Sequence, residues 1–336
     1  MDLDKAISLI ENSFLSPLLN DPDVTDISYN GQAVFYQHNF KGRQKSDIQV
    51  DPLEVSDFVR QISNISEQFF SVNSPILDVS IGRYRVNAVH PVIARIGNDK
   101  CINLCIRIAS NTLKIQRNSG FLDENVYQFL KLIIRHKQSI IIGGLTSSGK
   151  TEFQKFLITL FEANSRAIII DNVLELDQMR FRDDIDINSW KYDDRNSQIN
   201  ISLLVKNALR SNPDWLIVAE ARGAEMIDVL NAAMTGNPII TTIHAENAYT
   251  LPSRMISMVM MNEKKMSHEN IFKDICSHIH FYIYLKKEVG EDGTISRKVH
   301  QIIYLTRDGR FIELFSRNTK LDLSNLPKEV KKQLEI

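Results

Sequence analysis

Gly144-Leu145-Thr146-Ser147-Ser148-Gly149-Lys150-Thr151 fits the pattern G-x-x-x-x-G-K-[ST] without a mismatch. Glycines at this spacing let a backbone curl so that its N–H groups point inward, making a nest for phosphate oxygens. Lys150 would reach the β- and γ-phosphates, and the Thr151 hydroxyl would bind Mg2+. Thr146, Ser147, Ser148 and Glu152 stand in or beside the same loop and complete its candidate contacts. The flanks agree with the letters. Ser139-Ile140-Ile141-Ile142 is a short apolar run, as expected of a buried parallel strand. Thr151 to Ile158 alternates apolar and polar residues at helical spacing. A helix placed there would aim its positive end at the bound anion.

Other apolar runs end in residues suited to nucleotide hydrolysis. Ala167 to Ile170 ends at Asp171, with Glu175 a turn further on. Trp215 to Ala219 ends at Glu220, followed by Arg222 and Glu225, and Ile239 to Ile243 ends at His244. Open parallel sheets bind ligands beyond the carboxyl ends of their strands, so these tips would face one site. Glu220 is the natural acidic partner of Mg2+, holding a metal-bound water or orienting the attacking one. Asp171 or Glu175 would polarise that water from the other side; Glu175 reads equally well as a surface carboxylate at a helix end. His244 fits a sensor that feels the γ-phosphate through a hydrogen bond. Together these residues point to hydrolysis of ATP with Mg2+.

The elements that must position them fall into two groups. Up to about residue 110 the chain reads as a smaller α+β domain. Leu3 to Leu19 and Val55 to Phe70 have helical periodicity. Val24 to Tyr29 and Ala33 to Tyr36 read as a hairpin about Asn30-Gly31. Leu77 to Ile81, Tyr84 to Val89 and Cys101 to Ile108 read as an antiparallel set. Residues 111–119, with Lys114 and Arg117, read as a linker. From 120 to 336 helices alternate with strands, the rhythm of a parallel α/β sheet. Asp183 to Asn200 is its most loop-like stretch. Ile279 to Leu285, His300 to Leu305 and Arg310 to Phe315 read as antiparallel C-terminal strands, with turns at Asp292-Gly293 and Asp308-Gly309.

Composition narrows the function classes. The 336 residues carry 40 Lys+Arg against 41 Asp+Glu, a formal net charge of -1. That balance argues against a surface built to coat nucleic acid. No apolar run is long enough to span a bilayer, the acidic start resembles no secretory signal, and three cysteines form no disulfide or zinc framework. A cytoplasmic protein is expected.

The stretch Ala208 to Gly223 strongly resembles the Walker B region of the secretion-superfamily traffic ATPases. Gly236 to Ala245 is similar to their histidine box, and Arg166 to Leu176 to their aspartate box. Val24 to Ile27 and Gly82 to Pro91 are similar to their N-terminal domain. The resemblance covers nearly the whole chain. It implies a RecA-like P-loop NTPase domain behind a smaller N-terminal domain, and a homohexameric ATPase at the cytoplasmic face of an inner-membrane secretion, conjugation or pilus machine. Its partners would be the machine's own proteins, through which it would meet the membrane peripherally. It also implies that N-terminal-domain arginines, here Arg85 and Arg107, close over the nucleotide phosphates. Asp171-Asn172 departs from the family's usual Glu-Asp pair, and Asn237 stands for the first of two histidines. The family's four-cysteine zinc module is missing, as is the Ala-Ile-Arg-type signature of pilus retraction motors. Size and these absences favour the compact type IV secretion or conjugation branch. A hydrolysis-impaired nucleotide-gated platform and a nucleic-acid translocase are the rival readings.

Overall fold

The computed structural model describes residues 2–115, 120–172, 175–177, 181–192, 198–262 and 266–336. The chain forms two compact units: Met1–Asn111 with Val289–Ile295, and Thr112–Glu288 with Ser296–Ile336. Arg117 of the expected linker and Val173-Leu174 of the aspartate box lie outside the described residues.

In the first unit, strands β1 (Val24–Tyr29), β2 (Val34–His38), β3 (Gly42–Lys45), β4 (Ile76–Ile81), β5 (Tyr84–Val89) and β8 (Asn103–Ile108) form a six-stranded sheet in the order β3-β2-β1-β8-β5-β4. A small hairpin, β6 (Arg95–Ile96) and β7 (Asp99–Lys100), stands apart. Every pairing within this sheet is antiparallel. The expected hairpin is present, with Ile27 opposite Tyr36. Helices α1 (Leu3–Glu11), α2 (Ser16–Leu19) and α3 (Pro52–Ile65) cover one face through Ile10, Leu19, Val55, Phe58 and Ile62. The continuous helix expected over Leu3 to Leu19 is broken instead. The Asn12 side chain bonds back to Ser8 O, and Pro17 opens a second helix because it has no N–H to continue the first. Helix α3 also stops short of Phe70, where Glu67 turns left-handed.

The second unit holds an eight-stranded sheet built from β9 (Ile140–Gly144), β10 (Arg166–Asp171), β11 (Asp186–Lys191), β12 (Trp215–Val218), β13 (Ile239–Ile243), β14 (Phe281–Val289), β15 (Ile295–Leu305) and β16 (Phe311–Ser316). Their order is β11-β10-β12-β13-β9-β14-β15-β16. From β11 through β14 in that order neighbouring strands run parallel, and β16 is antiparallel to β15. Side chains alternate between two cores, as a strand buried on both faces requires. Ile140, Ile142, Ile169 and Ile217 pack with α4 (Glu124–Arg135) and α5 (Lys150–Ile158). Ile141, Ile168, Ile170 and Val218 pack with α6 (Ile201–Ala208), α7 (Met226–Met234), α8 (Leu251–Val259) and α9 (His268–His278). A short α10 (Lys328–Gln333) ends the chain as described.

Two expectations need correcting here. Phe281 to Leu285 joins the parallel set: it lies along β9 with Ile283 opposite Ile142. The α8–α9 connection carries the chain across to β9's other side, so β14 enters from the same end as β9. Within the loop-like stretch, Asp186–Lys191 is an edge strand parallel to β10. Its polar residues fit an edge, while Ile187 and Trp190 reach the two cores.

Candidate nucleotide site

The glycine loop leaves β9 and enters α5. Ser147 and Gly149 take left-handed φ values of 62° and 94°. Such alternation turns successive N–H groups into one concavity. Gly144 is required by packing, since a Cβ there would lie 2.2 Å from Ser148 Oγ and 2.9 Å from Leu285 O. Ser148 Oγ is buried and has no hydrogen-bond partner. Below the loop, α5 presents the free N–H groups and positive end of its first turn.

Strands β12, β13 and β9 are neighbours, and their tips bring three distant residues into contact. Lys150 Nζ donates to Gly144 O at 3.0 Å and Leu145 O at 3.2 Å, and lies 3.4 Å from His244 Nδ1. His244 Nε2 lies 2.8 Å from Glu220 Oε1. Oε1 is buried against this imidazole. The other oxygen, Oε2, accepts from Arg222 Nε at 2.9 Å and Nη2 at 2.6 Å. Glu225 holds the turn that carries this arginine by accepting from the Arg222 and Gly223 N–H groups.

The charges explain the titration. Burial pushes the Lys150 ammonium below its usual range, against an upward pull from Glu220. Burial, then the Lys150 charge, lowers the His244 imidazole, with Glu220 opposing. His244 is therefore neutral at pH 7. Beside an ammonium its Nδ1 is the acceptor, which leaves the ring proton on Nε2, toward Glu220.

The remaining expected residues occupy varied settings. Thr151 is half-buried at the start of α5, and Thr146 is exposed on the loop. Glu152 turns its carboxylate to the buried Lys155 at 2.9 Å and to the Lys114 N–H at 3.1 Å. Asp171 is buried at the tip of β10 and accepts from the Leu176 N–H at 3.3 Å. Glu175 is half-buried in the loop that follows. Arg85 and Arg107 belong to the first unit, opposite each other on β5 and β8. Arg85 is bonded to Asp78 through two nitrogens, and Arg107 Nε to Asp26 at 3.2 Å. Two like charges in direct register need such carboxylates beside them.

Two contacts had escaped the residue patterns. Arg222 grips Glu220 from two residues on, a spacing visible in the sequence. Arg297, on β15, donates from Nε to Ser147 O at 2.8 Å. No local pattern marks a residue 150 positions from its partner.

Residues 83–287 match the family model described as type II/IV secretion system protein. The chain belongs to that family. Among curated relatives of this secretion-family protein, an uncharacterized protein of Bacillus anthracis is 27% identical over 84% of this chain, which spans only 63% of that relative's length. The type IV secretion system protein VirB11 of Brucella suis is 23% identical over 89% of this chain and 91% of its own. The X-ray structure of the Legionella pneumophila ATPase DotB superposes with a TM-score of 0.67 at 20% identity, covering 88% of this chain and 82% of its own, which shows a shared fold.

The secretion-family protein's residues fit a magnesium nucleotide. A nest of N–H groups, a lysine, a helix start and the buried, partnerless Ser148 Oγ suit the phosphates, while the Glu220 carboxylate suits a cation or its water.

Proposed function

We propose that this protein is an ATP-hydrolysing motor subunit of a type IV secretion or conjugation machine, its second unit a RecA-like P-loop domain. The observation that carries the reading is the chain of contacts from Lys150 through His244 to Glu220 at a glycine loop. The names of its relatives, a type IV secretion system protein and a putative conjugal transfer protein, support the setting.

On this reading the loop N–H groups and the α5 start bind the triphosphate, with Gly144, Thr146, Ser147, Ser148, Gly149 and Glu152 lining the approach. Lys150 leaves the Gly144 and Leu145 carbonyls for phosphate oxygens. Thr151 and Glu220 would hold Mg2+, which would neutralise charge on the phosphates. Glu220 orients the attacking water through Oε1, with Asp171 or Glu175 on its far side. His244, touching both Lys150 and Glu220, transmits whether the lysine is engaged with phosphate. Arg85 and Arg107 exchange Asp78 and Asp26 for phosphate oxygens and supply the clamp. Six copies form a ring at the cytoplasmic face of the inner membrane, docked on partner proteins and without direct nucleic-acid contact. Different contacts to ATP and ADP then bias domain motion.

A second reading, a nucleotide-gated platform with slow turnover, is favoured by two observations. The Asp171 carboxylate is buried on the Leu176 N–H, and Asn237 bonds Thr235 Oγ1 where a histidine is usual. Phosphate release decides between them. The motor predicts turnover in the wild type and a fall of at least about a hundredfold in Lys150→Ala and Glu220→Gln. Equal release by all three would remove both the enzyme and its site.

A further inference from the structure

We propose that Arg297 is a positioning residue for the phosphate loop. It holds the Ser147–Ser148 peptide in the form that receives a nucleoside triphosphate, before the nucleotide arrives. This rests on the site reading above and deepens it.

The contact comes from the strand β15, far away in sequence, and it meets the loop at its most strained point. Ser147 is an L-residue with a φ of 62°, a left-handed conformation in which its Cβ crowds the following carbonyl oxygen. Its carbonyl accepts from Arg297 Nε at 2.8 Å. The N–H of the same peptide, on Ser148, donates to Leu145 O at 3.2 Å. In a trans peptide C=O and N–H point in opposite directions, so these bonds pin the plane from both sides. Ser147 cannot relax to a right-handed conformation without breaking one of them.

The arginine stem also lies against the loop. A Cβ at Gly149 would stand 3.4 Å from Arg297 Cδ and 3.8 Å from Phe121 Cε2. Phe121 in turn fixes β15, because its carbonyl accepts from the Val299 N–H at 2.9 Å. Arg297 is half-buried, and burial lowers its pKa. The nest serves ground state and transition state alike, so its pre-formation acts on affinity more than on turnover.

The test uses the full chain and a non-hydrolysable ATP analogue with Mg2+, followed by calorimetry, beside the nucleotide-free thermal midpoint. Arg297→Ala should weaken analogue binding about tenfold, with kcat within about twofold and the midpoint within about 2 °C of wild type. Arg297→Lys should recover part of the affinity by restoring one donor. In a Ser147→Gly background, where φ of 62° is unstrained, removing Arg297 should cost about threefold or less. An unchanged affinity in Arg297→Ala overturns the proposal, and so does the same loss in both backgrounds. A loss matched by a falling midpoint, with no recovery in Arg297→Lys, makes Arg297 a fold residue and overturns it too. A wild type that binds and hydrolyses ATP while these variants stay flat sinks this inference alone. A wild type that binds no analogue sinks the nucleotide reading and this inference with it.

Discussion

Lys150 sits in an unfavourable place for a lysine. It is 9% exposed, its ammonium leans on two carbonyls, and burial holds its pKa down. Burial disfavours its charged form, so folding bears a desolvation cost at this residue. Functional sites commonly retain such strain. Lys150→Met should therefore abolish binding of the analogue, yet leave the nucleotide-free thermal midpoint equal to or above that of wild type. A clear fall in the midpoint would mean the ammonium is a structural brace. His244 yields a pH prediction. Its folded pKa lies below the ordinary value of about 6.5, and those of His280 and His300 are lowered by burial as well. The stability these neutral rings contribute is complete above the unfolded pKa and is lost as pH falls through the folded values. Urea unfolding should show stability declining from about pH 6.5 downward, and His244→Gln should make the decline shallower. A steeper decline in that variant would reverse the assignment.

Among the elements, the β9–loop–α5 unit is the least tolerant of change. A methyl group at Gly144 meets Ser148 Oγ and the Leu285 carbonyl, and the second is backbone in the neighbouring strand. Neither the loop nor β14 can yield without disturbing the other. Gly144→Ala is expected to destabilise the protein by about 1–3 kcal/mol in urea and to remove nucleotide binding. Wild-type stability in that variant would mean the loop adapts. The strands around it were readable because each is buried on both faces and so is a plain apolar run. Direction was not readable in the same way: Phe281 to Leu285 looks alike whether it pairs parallel or antiparallel, and only the crossover by α8 and α9 decides. The edge strand Asp186–Lys191 was missed because edges carry polar residues that imitate a loop.

At the level of the whole molecule, no helix among the described residues is long and apolar enough to cross a membrane. The formal net charge of -1 gives no general attraction to phosphate backbones. A ring subunit should assemble more fully when ATP and Mg2+ bind. Light scattering should show hexamers whose share rises with the analogue, and Lys150→Met should not respond to it. A monomer at every nucleotide concentration would count against a ring motor.

The amino-acid order alone fixed the loop, the strand tips beyond which Asp171, Glu220 and His244 stand, and the family. Those signals are local: a glycine spacing, an apolar run, a polar residue at its end. Folding decided the partnerships. Strand order sets which tips are neighbours, so it is the sequence β12-β13-β9 that makes Lys150, His244 and Glu220 touch. Arg222 on Glu220 and Arg297 on Ser147 belong to the same class. Contacts between distant stretches leave no periodic trace, because periodicity reports only which face of an element is buried and not what lies against it.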